Sequence, residues 1–144
     1  MNTLKLIIFT SLLGITSQVK SQYLCFWVAN YSEETFSTLK IRENGDSYFG
    51  RDLLPENLIN PGEHFWVRTY NSGSSIYDVE ITRLDGEPLR FKWTGESGKT
   101  YNRPYITLDI LPLNTLMISS DDYGNTQWDI SNSDIYGFGD PCDP

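Results

Sequence analysis

The residues that could do chemistry are few, and the histidine count limits them most. His64 is the only histidine in the chain, so a serine triad would have to run through it. It follows Gly62-Glu63 and shares its side of the segment with Trp66, Arg68 and Tyr70, the polar face of a strand. A solvated surface histidine fits that place, and no G-x-S-x-G elbow presents a nucleophile. Zinc needs three or four nitrogen or sulfur ligands. One His and two Cys, Cys25 and Cys142, do not supply them. Asp and Glu number 19, but no motif pairs any two of them for acid–base work. The leading reading is therefore non-enzymatic. A small secreted carboxylate-dependent hydrolase is the alternative from another class.

Two patterns point to binding. Asp121, Asp122, Asn125 and Asp129 gather hard oxygen ligands on one polar stretch, which is what Ca²⁺ takes. The D-x-[DN]-x-[DN]-G spacing of an EF-hand is missing, so solvent-facing acids in a turn are the plainer reading, and a Ca-stabilised adhesion module is a further alternative. No other cofactor is expected. The second pattern is Trp66, Arg68 and Tyr70, which alternate with Phe65, Val67 and Thr69 and so project from one face. Aromatic rings flanked by donors stack on sugars or anchor a protein partner. Protein or glycan at a cell surface is the partner class expected.

The polypeptide that must position these residues starts after a leader. Lys5 precedes the apolar run from Leu6 to Ile15, and Val19 and Ser21 stand at −3 and −1 of a small-residue cleavage site. Residues 1–21 read as a secretory signal peptide, too short to span a bilayer as a stable helix. No membrane span is expected after cleavage, and the location expected is secreted or periplasmic. The leader carries Lys5 and Lys20 and no acid, so the mature chain is more acidic than the formal −8 of the whole. That charge argues against nucleic acid and anionic membranes as partners. In an exported protein the pair Cys25 and Cys142 is expected to form a disulfide.

Residues 22–120 read as one all-β domain. Leu24–Ala29 is an apolar strand. Phe36–Ile41 is a second, with Leu39 and Ile41 inward. Glu63–Tyr70 is a third, with Phe65 and Val67 inward. Ser75–Thr94 reads as a β-hairpin: Tyr77, Val79 and Ile81, then Leu89, Phe91 and Trp93, form its apolar face, and Asp85-Gly86 accepts the positive φ of the turn. Pro104–Ile110 and Thr115–Ser119 complete about seven strands, an antiparallel, immunoglobulin-like β-sandwich. Leu53, Leu54, Leu58 and Ile59 are placed as plugs for one end of the core. Residues 121–144 read as an Asp/Gly-rich tail packed on the domain through its aromatics.

One stretch resembles a loosely defined group of bacterial exported β-sandwich domains of no assigned activity. The matching positions are Phe49-Gly50, Asp52-Leu53-Leu54, Pro61-Gly62 and Tyr77-Asp78, within Asn30–Glu87. The group usually carries Trp where this chain has Phe49. The resemblance implies an exported sandwich and no catalytic residue.

Overall fold

Seven consecutive residues of the first strand are buried, from Leu24 to Tyr31's neighbour Asn30. A strand buried on both faces has something packed on each side, and the architecture shows what. The structure is a computed structural model that describes residues 23–70, 73–109 and 114–144. The expected leader, residues 1–21, and the last residue of the expected strand Pro104–Ile110 lie outside these. Among the described residues there are nine strands: β1 (Tyr23–Tyr31), β2 (Phe36–Glu43), β3 (His64–Tyr70), β4 (Ile76–Arg83), β5 (Phe91–Thr94), β6 (Thr100–Arg103), β7 (Ile106–Asp109), β8 (Thr115–Ser120) and β9 (Thr126–Ser131). They form a six-stranded sheet in the order β3-β1-β8-β9-β5-β6 and a three-stranded sheet in the order β2-β4-β7. Most pairings are antiparallel; β1–β8 and β5–β9 are parallel.

One apolar cluster fills the space between the sheets. Leu24, Phe26, Val28, Val67, Phe91, Leu116 and Ile118 come from the larger sheet. Leu39, Ile41, Tyr77, Val79, Ile81, Ile106 and Leu108 come from the smaller. The period-two alternation of each strand places these residues on the inner faces. The fold is thus an all-β sandwich, with nine strands rather than seven. The two additional strands, T-Y-N-R (β6) and T-Q-W-D-I-S (β9), lack an apolar run long enough to announce them. β9 also carries the sheet past residue 120, where the sequence places the start of a tail.

The Ser75–Thr94 hairpin is half right. The chain does reverse there: Arg83 N–H donates to the Glu87 carbonyl, Gly86 N–H to Arg83, and Leu89 N–H to Ile81. Beyond Leu89 the chain leaves the smaller sheet, and β5 joins the larger one beside β6 and β9. Alternation identifies a buried face but not the sheet that owns it. Similarly, Leu54 and Ile59 are fully buried and Leu53 packs against the core, but Leu58 is about half exposed and plugs nothing.

The positions shared with the exported-domain pattern are scaffold. Gly50 N–H donates to the Ile41 carbonyl at 2.9 Å, and a Cβ there would meet that oxygen at 3.2 Å. Asp52 accepts from the backbone N–H groups of Leu39 (3.0 Å) and Leu54 (2.9 Å). Gly62 N–H closes onto the Asn30 carbonyl. Asp78 sits in a strand, yet its side chain is 2% exposed, contrary to the wet-face placement that alternation gives it. Its oxygens take the Arg42 guanidinium at 2.8 Å, Thr107 Oγ1 at 2.6 Å and Asn44 Nδ2 at 3.1 Å. The ion pair bolts β2 to β4 and Thr107 bolts on β7.

Burial pushes the Asp78 carboxyl up, but hydrogen bonds from Thr107, Arg42 and Asn44 and the charge of Arg42 outweigh it and hold the group below its ordinary value. A carboxyl depressed in the folded state stabilises above its unfolded pKa and loses that contribution as pH falls through the folded one. Asp78→Asn is expected to cost about 2–3 kcal/mol at pH 7, because charged hydrogen bonds are lost and Arg42 is left unpaired. The gap between variant and parent should start to shrink only below about pH 4 and close as pH falls through the depressed folded-state value. Urea melts at pH 7 and in that acid range check this. An equal gap at both would remove Asp78 as the acid-sensitive group.

Candidate functional site

Trp66, Arg68 and Tyr70 do share the outer face of β3, an edge strand of the larger sheet. The partner register explains their neighbours. Tyr23 of β1 lies opposite Tyr70, Cys25 opposite Arg68 and Trp27 opposite Trp66. The Tyr23 and Tyr70 rings stack at 5.5 Å. The Arg68 guanidinium lies 3.6 Å from the Tyr23 ring centre, a cation–π contact that holds its planar fork in one orientation. Trp66 is half-buried and Arg68 and Tyr70 are exposed. Together with Tyr23, Thr69 and Arg51 from the β2–β3 connection they line an open pocket of about 330 Å³. Nothing in the sequence singles out Tyr23 or Arg51 for this pocket, because the apolar run of β1 shows no alternation.

The part of this outer face formed by β1 is covered by the end of the chain. Cys25 and Cys142 form a disulfide. Upstream of it, the Trp27 indole N–H donates to the Gly139 carbonyl at 2.8 Å, and Phe138 packs on Trp27. His64 stacks on Phe138 at 3.9 Å, so the histidine belongs to this clamp rather than to bare solvent. Tyr136 reaches Tyr31 and Met117. The clamp stops short of Trp66, Arg68 and Tyr70, and the pocket begins where the cover ends.

The proposed calcium ligands are not brought together. Asp121 Oδ1 accepts from the backbone N–H groups of Tyr123 (2.9 Å) and Asn125 (2.8 Å), and Oδ2 accepts from Asn125 Nδ2 (3.0 Å). Those hydrogen bonds, led by Asn125, hold its carboxyl below the ordinary value, with the charge of Lys92 adding to them. Asp121 is therefore the internal brace of the β8–β9 turn. Asp129 lies on β9 opposite Met117, three residues beyond Thr126 and roughly 10 Å along the strand from the turn end. Among the described residues no group of three or more His, Cys, Asp or Glu is placed to hold a metal ion. Asn30, which fits a glycosylation sequon with Ser32, is fully buried. Its side chain bonds Glu34, Ile59 and Ser32 and offers nothing to a glycosyl donor.

No protein-family model matches the chain, and no curated protein matches it. Among solved structures, the chain is similar to an NMR structure of a protein from Eubacterium rectale. The two share 14% identity with a TM-score of 0.45, over 82% of this chain and 97% of that one.

Proposed function

We propose that this chain is an exported, non-enzymatic binding domain whose β3 face takes a glycan displayed at a cell surface. The observation that carries this is the meeting of Trp66, Arg68 and Tyr70 with Tyr23 and Arg51 around one open pocket. Its volume of about 330 Å³ suits one or two sugar rings. Tyr70, 69% exposed, offers a stacking face, and the ordered guanidinium offers donors to hydroxyl oxygens. Export rests on the signal-like residues 1–21 and on the disulfide, a bond that persists in oxidising compartments. Among the described residues no helix is long and apolar enough to cross a membrane.

The hydrolase alternative would need carboxylates converging in a protected cleft. Glu33, Glu34 and Glu87 do share a cleft of about 390 Å³, but with Arg83, Arg90 and Lys92 interleaved. All three glutamates are exposed, and Glu34 faces Arg83 at 3.9 Å. That setting favours the binding reading over a general acid.

The test is a printed glycan array followed by calorimetry on the best binder. Arg68→Ala and Tyr70→Ala should each weaken binding by roughly tenfold to a hundredfold without moving the melting curve. A wild-type protein that binds no glycan, or variants that bind as well as it does, would overturn the reading.

A further inference from the structure

A second seat lies at the far end of the same sheet, and a different set of observations carries it. β5 and β9 run parallel but share a single rung, Phe91 with Thr126. Past that rung β5 follows β6, with four pairs, while β9 stays with β8, with six. The two strands part, and the gap becomes a slot of about 390 Å³ lined by Lys92, Trp93, Thr94, Gln127 and Trp128. The two indoles stand at 89° with centres 5.3 Å apart. One ring packs its edge on the other's face, and both residues line the slot. Both are only partly buried, although they pack against the core.

Charge around this slot runs opposite to the rest of the protein. The chain is formally −8, yet residues 90–103 hold Arg90, Lys92, Lys99 and Arg103 against the single acid Glu96. The Arg103 guanidinium lies 5.4 Å from the Tyr101 ring centre and 5.8 Å from that of Trp93, and the Lys99 ammonium 5.2 Å from Tyr101. Tyr101 in turn stacks on Trp93 at 4.9 Å. Among the described residues none of Lys92, Lys99 or Arg103 has a carboxylate within ion-pair distance. Asp121, whose charge Lys92 feels, has its oxygens engaged by Asn125 and Tyr123. The site therefore combines two partly buried indoles and Lys92 in its lining with Lys99 and Arg103 just outside it, beside Tyr101 and Trp93, and among the described residues neither of these two has a carboxylate within ion-pair distance.

We infer that the β5–β9 slot binds an acidic oligosaccharide, a uronate-bearing chain whose rings stack on Trp93 and Trp128 and whose carboxylates meet Lys92, Lys99 and Arg103. Stacking supplies the affinity and the cations choose the acid over the neutral sugar. A slot of about 390 Å³ holds one or two rings, not the buried centre of a protein–protein interface. This seat is independent of the β3 pocket and does not need it.

The probes are trigalacturonic acid and its fully methyl-esterified form, which differ in charge and keep the same rings. Calorimetry on the disulfide-bonded protein should show the acid binding and the ester weaker by roughly tenfold or more, with the acid's affinity falling as salt rises. Lys92→Glu with Lys99→Glu should weaken the acid by roughly tenfold or more, while Arg68→Ala at the other face leaves it unchanged. Both lysines are exposed, so the double variant should fold, and an unchanged melting curve verifies it. No binding of the acid, equal binding of the ester, indifference to the lysine reversals, or loss with Arg68→Ala would each overturn the assignment. The last outcome would move the acid to the β3 pocket and leave that reading standing.

Discussion

Replacing Phe91 by Ala should cost about 3–5 kcal/mol, the range for emptying a buried phenylalanine site. The ring is fully buried in the cluster between the sheets. It meets Trp128 edge-on at 5.6 Å, and its backbone supplies the only rung between β5 and β9. The void left by the ring would thus open at the place where the β5–β6 hairpin joins the larger sheet. Packing cannot close it without drawing β9 inward, and β9 is fixed by six pairs to β8. Equilibrium urea unfolding measures the cost. A loss under about 1 kcal/mol would show that the ring does not carry the core contacts assigned to it. Phe91→Leu, which keeps most of the volume, should cost less than half as much.

Cutting the disulfide is the other large effect. The bridge joins residues 117 apart, and the chain-entropy relation gives a closed loop of that size roughly 5 kcal/mol. Cys25→Ser, Cys142→Ser and the double variant should all lose the same amount, because each removes the one bond. Additive losses would refute that. The structure adds a local consequence. With the bridge gone, the clamp over β1 is held by the Trp27 indole bond to Gly139, the Phe138 stack on His64 and the Tyr136 contacts. Trp27 is only 7% exposed under that cover, so iodide quenching of tryptophan fluorescence should rise in all three variants before global unfolding.

Much of this arrangement was legible in the sequence where a side chain's polarity agrees with its place. The inward set Leu39, Val67, Val79 and Ile81 follows from alternation alone. So does the outward set on β3, and the cysteine pair follows from count and position. What escaped has a common physical cause. β9 and β6 contribute to the sheet mainly through backbone bonds and large aromatics, not aliphatic runs, and composition cannot weigh a hydrogen-bond ladder. Asp78 reads as a wet-face residue because its partners Arg42, Asn44 and Thr107 come from two other parts of the chain, the end of β2 and β7. Tyr23 was hidden because β1 is buried on both sides. The tail that covers its outer face arrives from more than a hundred residues away, and without it the alternation of Tyr23, Cys25 and Trp27 has no visible meaning. The slot between β5 and β9 depends on where two strands part, and no local pattern encodes that.

The Cys25–Cys142 bridge also decides how the domain would carry a mechanical load. The two Cα atoms are 5.1 Å apart. Tension applied between the segment before Cys25 and the segment after Cys142 would pass through the sulfur–sulfur link and bypass both sheets. The β5–β9 slot lies inside the closed loop and would keep its shape while the protein is pulled, and so would the β3 pocket except for Tyr23, which precedes Cys25. A domain wired this way keeps its sheets out of the line of force for as long as the covalent link survives. In reducing conditions the same pull would first strip the clamp from Trp27 and then draw on β1, the strand that connects β3 to β8.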